Sequence, residues 1–278
     1  MRPRPPKDHR SKPHGRGPQG QTQPPRPESG RERPENWLYG LHAVGAALAN
    51  PRRKLHRAVL TARAAEALGA KLTGRVRVEP ADAEAIGRLL PPGAVHQGAA
   101  LACDPLPAGD LDEVLASMAG LDPATQSKKR RRIVLVLDQL SDPHNVGAIL
   151  RTAAAFAVTA VVVQDRHAPP QSGALAKAAS GAMEIVPYVE VVNIARALDK
   201  LGEAGFWRIA LAGDGQETLA QAASQGDIAL VLGSEGEGIR RLVREHCDTA
   251  AFIPIDQAME SLNVSNAAAI ALYEMRRR

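Results

Sequence analysis

The residues of this chain that can do chemistry gather in three short polar clusters. The first is Asp142-Pro143-His144-Asn145-Val146-Gly147, with Arg151 under two helical turns beyond Asn145. The second is Gly233-Ser234-Glu235-Gly236-Glu237-Gly238. The third is Glu260-Ser261-Leu262-Asn263-Val264-Ser265-Asn266. All three sit at the ends of short apolar runs. Carboxamides, hydroxyls, one guanidinium and a carboxylate at the strand ends of one sheet describe a ligand site.

Each cluster also has a plainer reading. Pro143 disfavours a helical Asp142, and Asn145 is a good N-cap, so the first cluster can be simply a helix start. Arg151 fits that reading poorly. It lies in a stretch made mostly of Ala, Ile, Leu and Phe, where a guanidinium needs an acceptor. A salt bridge to Glu235 or Asp138 would satisfy it, as would a ligand. The glycines of the second cluster let backbone approach a ligand, or make a turn. The string lacks the Gly-Lys-Ser/Thr of a P-loop and the spacing of a dinucleotide fingerprint. Its two glutamates would repel a pyrophosphate and suit a sulfonium or ammonium group better. In the third cluster Asn263 or Ser261 can cap the final helix. One cap does not use up Ser261, Asn263, Ser265 and Asn266.

Other chemistries are set aside. No His/Cys cluster has zinc spacing, so no metal is expected. There is no G-x-S-x-G elbow. Glutamates two residues apart do not make a glycosidase pair.

The elements that position these residues read as α/β. Ile133–Leu137 and Ile228–Leu232 are continuous apolar runs, as expected of strands covered on both faces. Between and after them, helices are expected over Asn145–Phe156, Ser172–Ser180, Ile194–Leu201, Ile239–Glu245 and Asn263–Arg276. Further strands are expected at Ala160–Val163, Ile185–Val191, Trp207–Leu211 and Ala251–Ile253. Such alternation predicts a mostly parallel sheet. Upstream lies a smaller α/β unit with helices at Leu41–Leu48, Ala64–Leu72 and Asp82–Leu90. Its strands are expected at Leu55–Leu60, Val76–Val78 and Ala99–Cys103. The expected division is 1–35 tail, 36–105 small domain, 106–132 linker with a short helix at Leu111–Met118, and 133–278 large domain.

Composition bounds the partners. Apolar residues make up 44% of the 278, enough for a sizeable core, but only eight residues are aromatic, too few for a base-stacking surface. Residues 1–35 carry nine Lys/Arg against four Asp/Glu, and the remainder carries 26 of each sign. All the excess of +5 therefore lies in the tail. A basic arm with nine prolines is expected to be disordered and to favour polyanions such as RNA. Cys103 and Cys247 lack a paired spacing and are expected as free thiols. No apolar run reaches ~18 residues, so no membrane span is expected. The N-terminus has no signal-like apolar core, and the expected location is the cytoplasm.

Taken together, the three clusters resemble the motifs of the SpoU (TrmH-like) class of RNA ribose 2′-O-methyltransferases. Asn145 and Arg151 match the first motif. Gly233, Glu235 and Gly238 match the second. Ser261, Leu262, Asn263, Val264 and Ser265 match the third. Ser180-Gly181-Ala182 is similar to a further signature between them. Trp37-Leu38-Tyr39-Gly40-Leu41-His42-Ala43-Val44 resembles the start of the family's substrate-binding domain, a small α/β unit similar to certain ribosomal proteins. Gln257 stands where a glycine is common, and Asn266 replaces a usual aliphatic residue. The resemblance covers about 36–278.

The resemblance implies a C-terminal SPOUT domain with a parallel sheet and a deep trefoil knot. It implies S-adenosyl-L-methionine as cofactor, held by backbone around Leu232, Gly233, Ile253 and Leu262. It implies a homodimer whose pocket is built at the subunit interface. The catalytic set it implies is Asn145, Arg151, Glu235, Ser261 and Asn263, with Glu235 fixing Arg151. Family members with the extra domain include bacterial enzymes that methylate a guanosine of 23S rRNA, so rRNA is the expected substrate. A tRNA methyltransferase or a non-catalytic assembly factor are the alternatives.

Removal of residues 1–35 is expected to leave the fold intact and weaken RNA binding at low salt. Titration of RNA at several salt concentrations checks this, and an unchanged affinity and salt slope would deny the tail a part in RNA capture.

Overall fold

The computed structural model of the chain describes residues 35–119, 131–224, 226–256 and 258–277. The expected disorder of the tail, the basic residues Lys128–Arg130 and Gln257 lie outside the described residues.

The smaller unit runs through β1 (Trp37–Tyr39), α1 (Leu41–Ala49), β2 (Leu55–Leu60), α2 (Ala62–Leu68), α3 (Ala70–Thr73), β3 (Arg77–Pro80), α4 (Ala83–Leu89) and β4 (Ala99–Cys103). Its sheet order is β1-β4-β2-β3, with only β2 and β3 parallel. The central strand β4, Ala-Ala-Leu-Ala-Cys, is buried throughout. One expectation needs correction. The helix foreseen over Ala64–Leu72 is two helices, because Gly69 takes a φ of 79°, a conformation outside the right-handed helix.

The larger unit contains α5 (Leu111–Ala119), β5 (Ile133–Leu137), α6 (Pro143–Ala155), β6 (Ala160–Gln164), α7 (Gly173–Ala179), β7 (Tyr188–Val191) and α8 (Ile194–Glu203). It continues with β8 (Trp207–Leu211), β9 (Glu217–Thr218), α9 (Leu219–Ala222), β10 (Ile228–Leu232), α10 (Arg241–Glu245), β11 (Thr249–Phe252) and α11 (Val264–Arg277). Seven strands pair in parallel in the order β7-β6-β5-β10-β8-β11-β9. The extended run foreseen over Ile185–Val191 begins only at Tyr188, since Ile185 ends the 3-10 turn Ala182–Glu184 in helical backbone.

Alternation along the central strands makes two cores. Ile133, Leu135 and Leu137 of β5 join the face covered by α6, α7 and α11. Val134 and Val136 face the other way, against α5, α8 and Val243 of α10. At about 1.5–3 kcal/mol for each fully buried aliphatic side chain, these strands alone anchor the sheet. Leu111 and Met118 of α5 are buried in the second core, and Lys200 holds Asp112 at 2.6 Å, so this part of segment 106–132 is docked on the sheet.

Chain order reverses beside β5 and β10. The chain builds outward from β5 through β6 to β7, then returns to β8 on the far side of β10. At such a switch point the loops leaving the carboxyl ends of neighbouring strands diverge and open a crevice. The loops after β5, β10 and β11 carry the three polar clusters.

The two units are joined by a buried ion pair. Arg53 donates from Nη2 to Glu184 Oε1 at 2.5 Å and from Nε at 3.2 Å, with side-chain exposures of 0% and 6%. Asn50 donates to the other carboxylate oxygen at 2.6 Å, and Arg53 Nη1 donates to the Asp104 carbonyl at 3.0 Å. The same seam explains Ser180-Gly181-Ala182: a Cβ at Gly181 would lie 2.8 Å from Ala46 Cβ of α1. Cys103 and Cys247 are both free, and burial pushes their thiols up to about 11 and about 12.

Breaking such a pair strands a charge in a dry site. Arg53→Met is expected to cost about 3–5 kcal/mol, and Arg53→Met with Glu184→Met much less, because the double variant leaves no orphan charge. Urea unfolding of the three chains measures this. Equal midpoints for wild type and the single variant would mean the pair does not hold the units together.

Candidate functional site

Asp142, not Asn145, caps α6. Asp142 is extended (φ −72°, ψ 116°), as the following proline requires, and its carboxylate accepts from the His144 N–H at 3.0 Å. Pro143 takes the first helical position, where its missing N–H costs nothing. The expected helix start is therefore corrected by two residues. Asn145 falls inside the first turn, and its carboxamide is free for other work.

That carboxamide meets the other two clusters. Asn145 Nδ2 donates to Glu235 Oε1 at 3.0 Å. Asn263 Nδ2 donates to Asn145 Oδ1 at 3.0 Å and to Glu235 Oε1 at 2.8 Å. Asn263 is also the cap of α11: its Oδ1 accepts from the N–H of Ser265 at 2.9 Å, from Ser265 Oγ at 2.6 Å and from the N–H of Asn266 at 3.4 Å. One asparagine thus starts the last helix with its oxygen and joins the site with its nitrogen.

The glycines shape the loop that carries Glu235. Ser234 and Gly238 exchange backbone hydrogen bonds at 3.2 and 3.0 Å, closing a small ring. Gly236 and Gly238 have φ of 95° and 68°. A Cβ on Gly233 would sit 2.2 Å from the Gly238 carbonyl carbon, so no larger residue fits there.

Arg151 and Ser261 do not join this network. Six residues on from Asn145, Arg151 is turned about 120° around α6 and displaced about 9 Å along it. It is exposed and makes no hydrogen bond or ion pair among the described residues. Both expected carboxylate partners are taken elsewhere. Glu235 serves Asn145 and Asn263, so it does not fix Arg151. Asp138 is fully buried and serves Arg240, accepting from its N–H at 3.0 Å, Nε at 2.9 Å and Nη2 at 2.6 Å. Ser261 is exposed.

Of the residues expected to hold a cofactor, Leu232 ends β10 and its carbonyl already accepts from the Asp138 N–H at 2.8 Å. Gly233, Ile253 and Leu262 are half-buried around the Glu235 loop and the segment leading into α11. The crevice offers carboxylates, neutral backbone and aliphatic flanks. That donor set fits a sulfonium-bearing nucleoside better than a phosphate-rich one. Among the described residues no group of three or more His, Cys, Asp or Glu side chains is placed to hold a metal ion, and no helix is long and apolar enough to cross a membrane.

Sequence reading passed over two features. Thr218-Leu219-Ala220-Gln221 forms a capping box that starts α9, and the Thr-x-x-Gln string was its visible signal. The Asp138–Arg240 pair spans 102 residues and had no local signal.

Comparison with known proteins identifies the family. The SpoU rRNA Methylase family matches residues 132–273, and the family described as RNA 2′-O ribose methyltransferase substrate binding matches residues 37–108. The chain is 40% identical over 243 residues to the 23S rRNA (guanosine-2′-O-)-methyltransferase RlmB of Ralstonia nicotianae, covering 85% of this chain and 93% of that protein. A putative RNA methyltransferase of the TrmH family from Porphyromonas gingivalis superposes with TM-score 0.68 at 27% identity, covering 88% of this chain and 90% of that one. An AdoMet-bound rRNA methyltransferase from Sinorhizobium meliloti shares the fold, with TM-score 0.70 at 21% identity over 88% of this chain and 87% of that one. The expected resemblance holds, and the chain belongs to the SpoU rRNA methylase family.

Proposed function

We propose that this protein methylates a ribose 2′-oxygen in RNA with S-adenosyl-L-methionine as donor, the target being a guanosine of 23S rRNA. The carrying observation is the meeting of Asn145, Glu235 and Asn263 on one carboxylate oxygen. The name and near full-length match of the Ralstonia nicotianae relative support the substrate. When bound, the cofactor supplies a methyl group activated by its sulfonium.

The residues of the chain then have orientation and charge to provide. Holding the 2′-oxygen in line with the methyl carbon is worth several kcal/mol, roughly as intramolecular reactions show. Gly233, Ile253 and Leu262 would line the cofactor, and Leu232 would set the end of β10 beneath it. Asn145 and Asn263, each fixed by Glu235, would orient ribose and cofactor, and Ser261 would add a hydroxyl at the rim. Arg151 would meet the RNA. A guanidinium stays protonated at neutral pH, so it suits a phosphate or a developing alkoxide rather than the task of base. Its lack of a carboxylate partner among the described residues favours that role.

The active unit in this proposal is a homodimer with a knotted C-terminal domain, acting in the cytoplasm on ribosomal RNA. Asn266, Ile270, Tyr273 and Arg277 repeat at helical spacing along α11, and Ile270 and Tyr273 are 43% and 60% exposed. Met259, just before the third cluster, is 64% exposed. Exposed Ile270, Tyr273 and Met259 beside a polar site suit a second copy of the chain. The N-terminal unit, about 36–105, would hold the RNA.

Arg151→Ala is expected to lower methylation of 23S rRNA by about 100-fold or more while leaving the Kd for S-adenosylmethionine within about 3-fold, since the charge acts on RNA and transition state. Single-turnover assays and calorimetry read the two. Wild-type rates in the variant would remove Arg151 from the site. Tyr273→Glu is expected to give monomers by sedimentation and to lose activity with them. A fully active monomer would end the dimeric reading.

A further inference from the structure

We propose that Asp138, Arg240 and Gln164 form a clamp that positions Glu235, making Arg240 a positioning residue for methyl transfer. The inference rests on the function proposed above and adds residues that none of the three motifs contains.

Beyond the Asn145 and Asn263 bonds to Glu235 and the packing of Ile239 against the second core, the Glu235 loop has little to hold it. Glu235, Gly236, Glu237 and Gly238 are all exposed, and two of them are glycines in left-handed backbone. No apolar side chain lies within this stretch, and ordering it costs backbone entropy. The Ser234–Gly238 bonds close the ring but do not tie it to the sheet. The tie lies at the two feet. Upstream, β10 ends at Leu232, whose carbonyl accepts from the Asp138 N–H at 2.8 Å. Downstream, Arg240 brings three donors to the Asp138 carboxylate. One residue at the end of β5 therefore grips both feet of the loop.

The guanidinium has a second acceptor. Arg240 Nη2 also donates to Gln164 Oε1 at 2.9 Å, and Gln164 Nε2 donates to the Val192 carbonyl at 3.2 Å. The fork is thus aimed between the ends of β5 and β6, which fixes the direction in which the chain leaves Gly238. Asp138 is buried and Arg240 half-exposed, and such a pair imposes a geometry that apolar groups do not. What that geometry delivers is the Glu235 carboxylate, within 3.0 Å of both Asn145 and Asn263.

The test combines a structural and a kinetic reading. Arg240→Met keeps an apolar stem and the backbone bond to Asp138 while removing the guanidinium. Amide exchange at Ser234 and Gly238 is expected to quicken about 10-fold or more, with β5 and β10 unchanged. Unchanged exchange in the loop overturns the clamp whatever the enzyme does. In a wild-type background, Arg240→Met is expected to lower kcat by about 10- to 100-fold, the scale of a small misplacement. In a Glu235→Ala background it is expected to lower kcat by under about 3-fold, because residues acting as a unit are not additive. Equal losses in both backgrounds, or no loss in the first, overturn the positioning role. Gln164→Leu, which leaves Asp138 paired, guards against misfolding of the arginine variant. It is expected to give a smaller, equally Glu235-dependent loss, and an unaltered kcat overturns the proposal. Wild-type protein that methylates no RNA would refute the proposed function instead, and the exchange measurement would still decide the clamp.

Discussion

One carboxylate oxygen, Glu235 Oε1, accepts hydrogen bonds from two amides that belong to helices 90 and 28 residues away in the chain. The rest of the large domain can be understood as what makes that meeting possible. Charge-assisted bonds are about twice as strong as neutral ones, yet a solvent-exposed carboxylate gains from them only if the partners are already in place. Here they are. Asn263 is fixed because its oxygen caps α11. Asn145 is fixed because α6 starts early, at Pro143, and is packed on its buried face by Val146, Ile149 and Leu150. The order of strands then brings both helix starts to the edge from which the Glu235 loop emerges.

Sequence was enough for much of this and insufficient for a definable remainder. β2, β4, β5, β8 and β10 have the expected limits, because an apolar run bounded by polar or turn residues admits little choice. The triad Asn145, Glu235 and Asn263 was legible through motif resemblance, and the structure brings it together. Other features depended on competition between neighbours. Asp142 and Asn145 are both good caps, and the rule that places proline at the first helical position decides for Asp142. Arg151 was expected to need an acceptor, either a carboxylate of the chain or a ligand. It has none among the described residues, because Glu235 and Asp138 have nearer donors. Arg240 and Arg241 look alike in sequence, but Arg240 reaches the buried Asp138 while Arg241 pairs with Glu245 on the surface. Only long-range geometry separates them.

The union of the two units follows the same economy. Arg53 and Glu184 are almost wholly removed from solvent, and each has additional polar partners. Close backbone approach at Gly173, where a Cβ would lie 2.4 Å from the Trp37 carbonyl, and at Gly181 leaves the seam little room to slide. A small unit held in this way presents its surface at a set distance from the crevice. For a polymeric substrate this matters more than affinity, since the reacting ribose must arrive within a fraction of an ångström of its place.

The proposed function would separate two tasks that a single residue could not perform together. Neutral amides paired to a carboxylate give direction without net attraction. A lone cation gives attraction and charge stabilisation but little direction. Had Glu235 gripped Arg151, the pair would have been a neutral, self-contained unit with nothing left for an anionic polymer. Because Glu235 is committed to Asn145 and Asn263, and Asp138 to Arg240, Arg151 keeps its full charge exposed on the solvent side of α6. Satisfying the carboxylates internally is thus what leaves the arginine free to act outward.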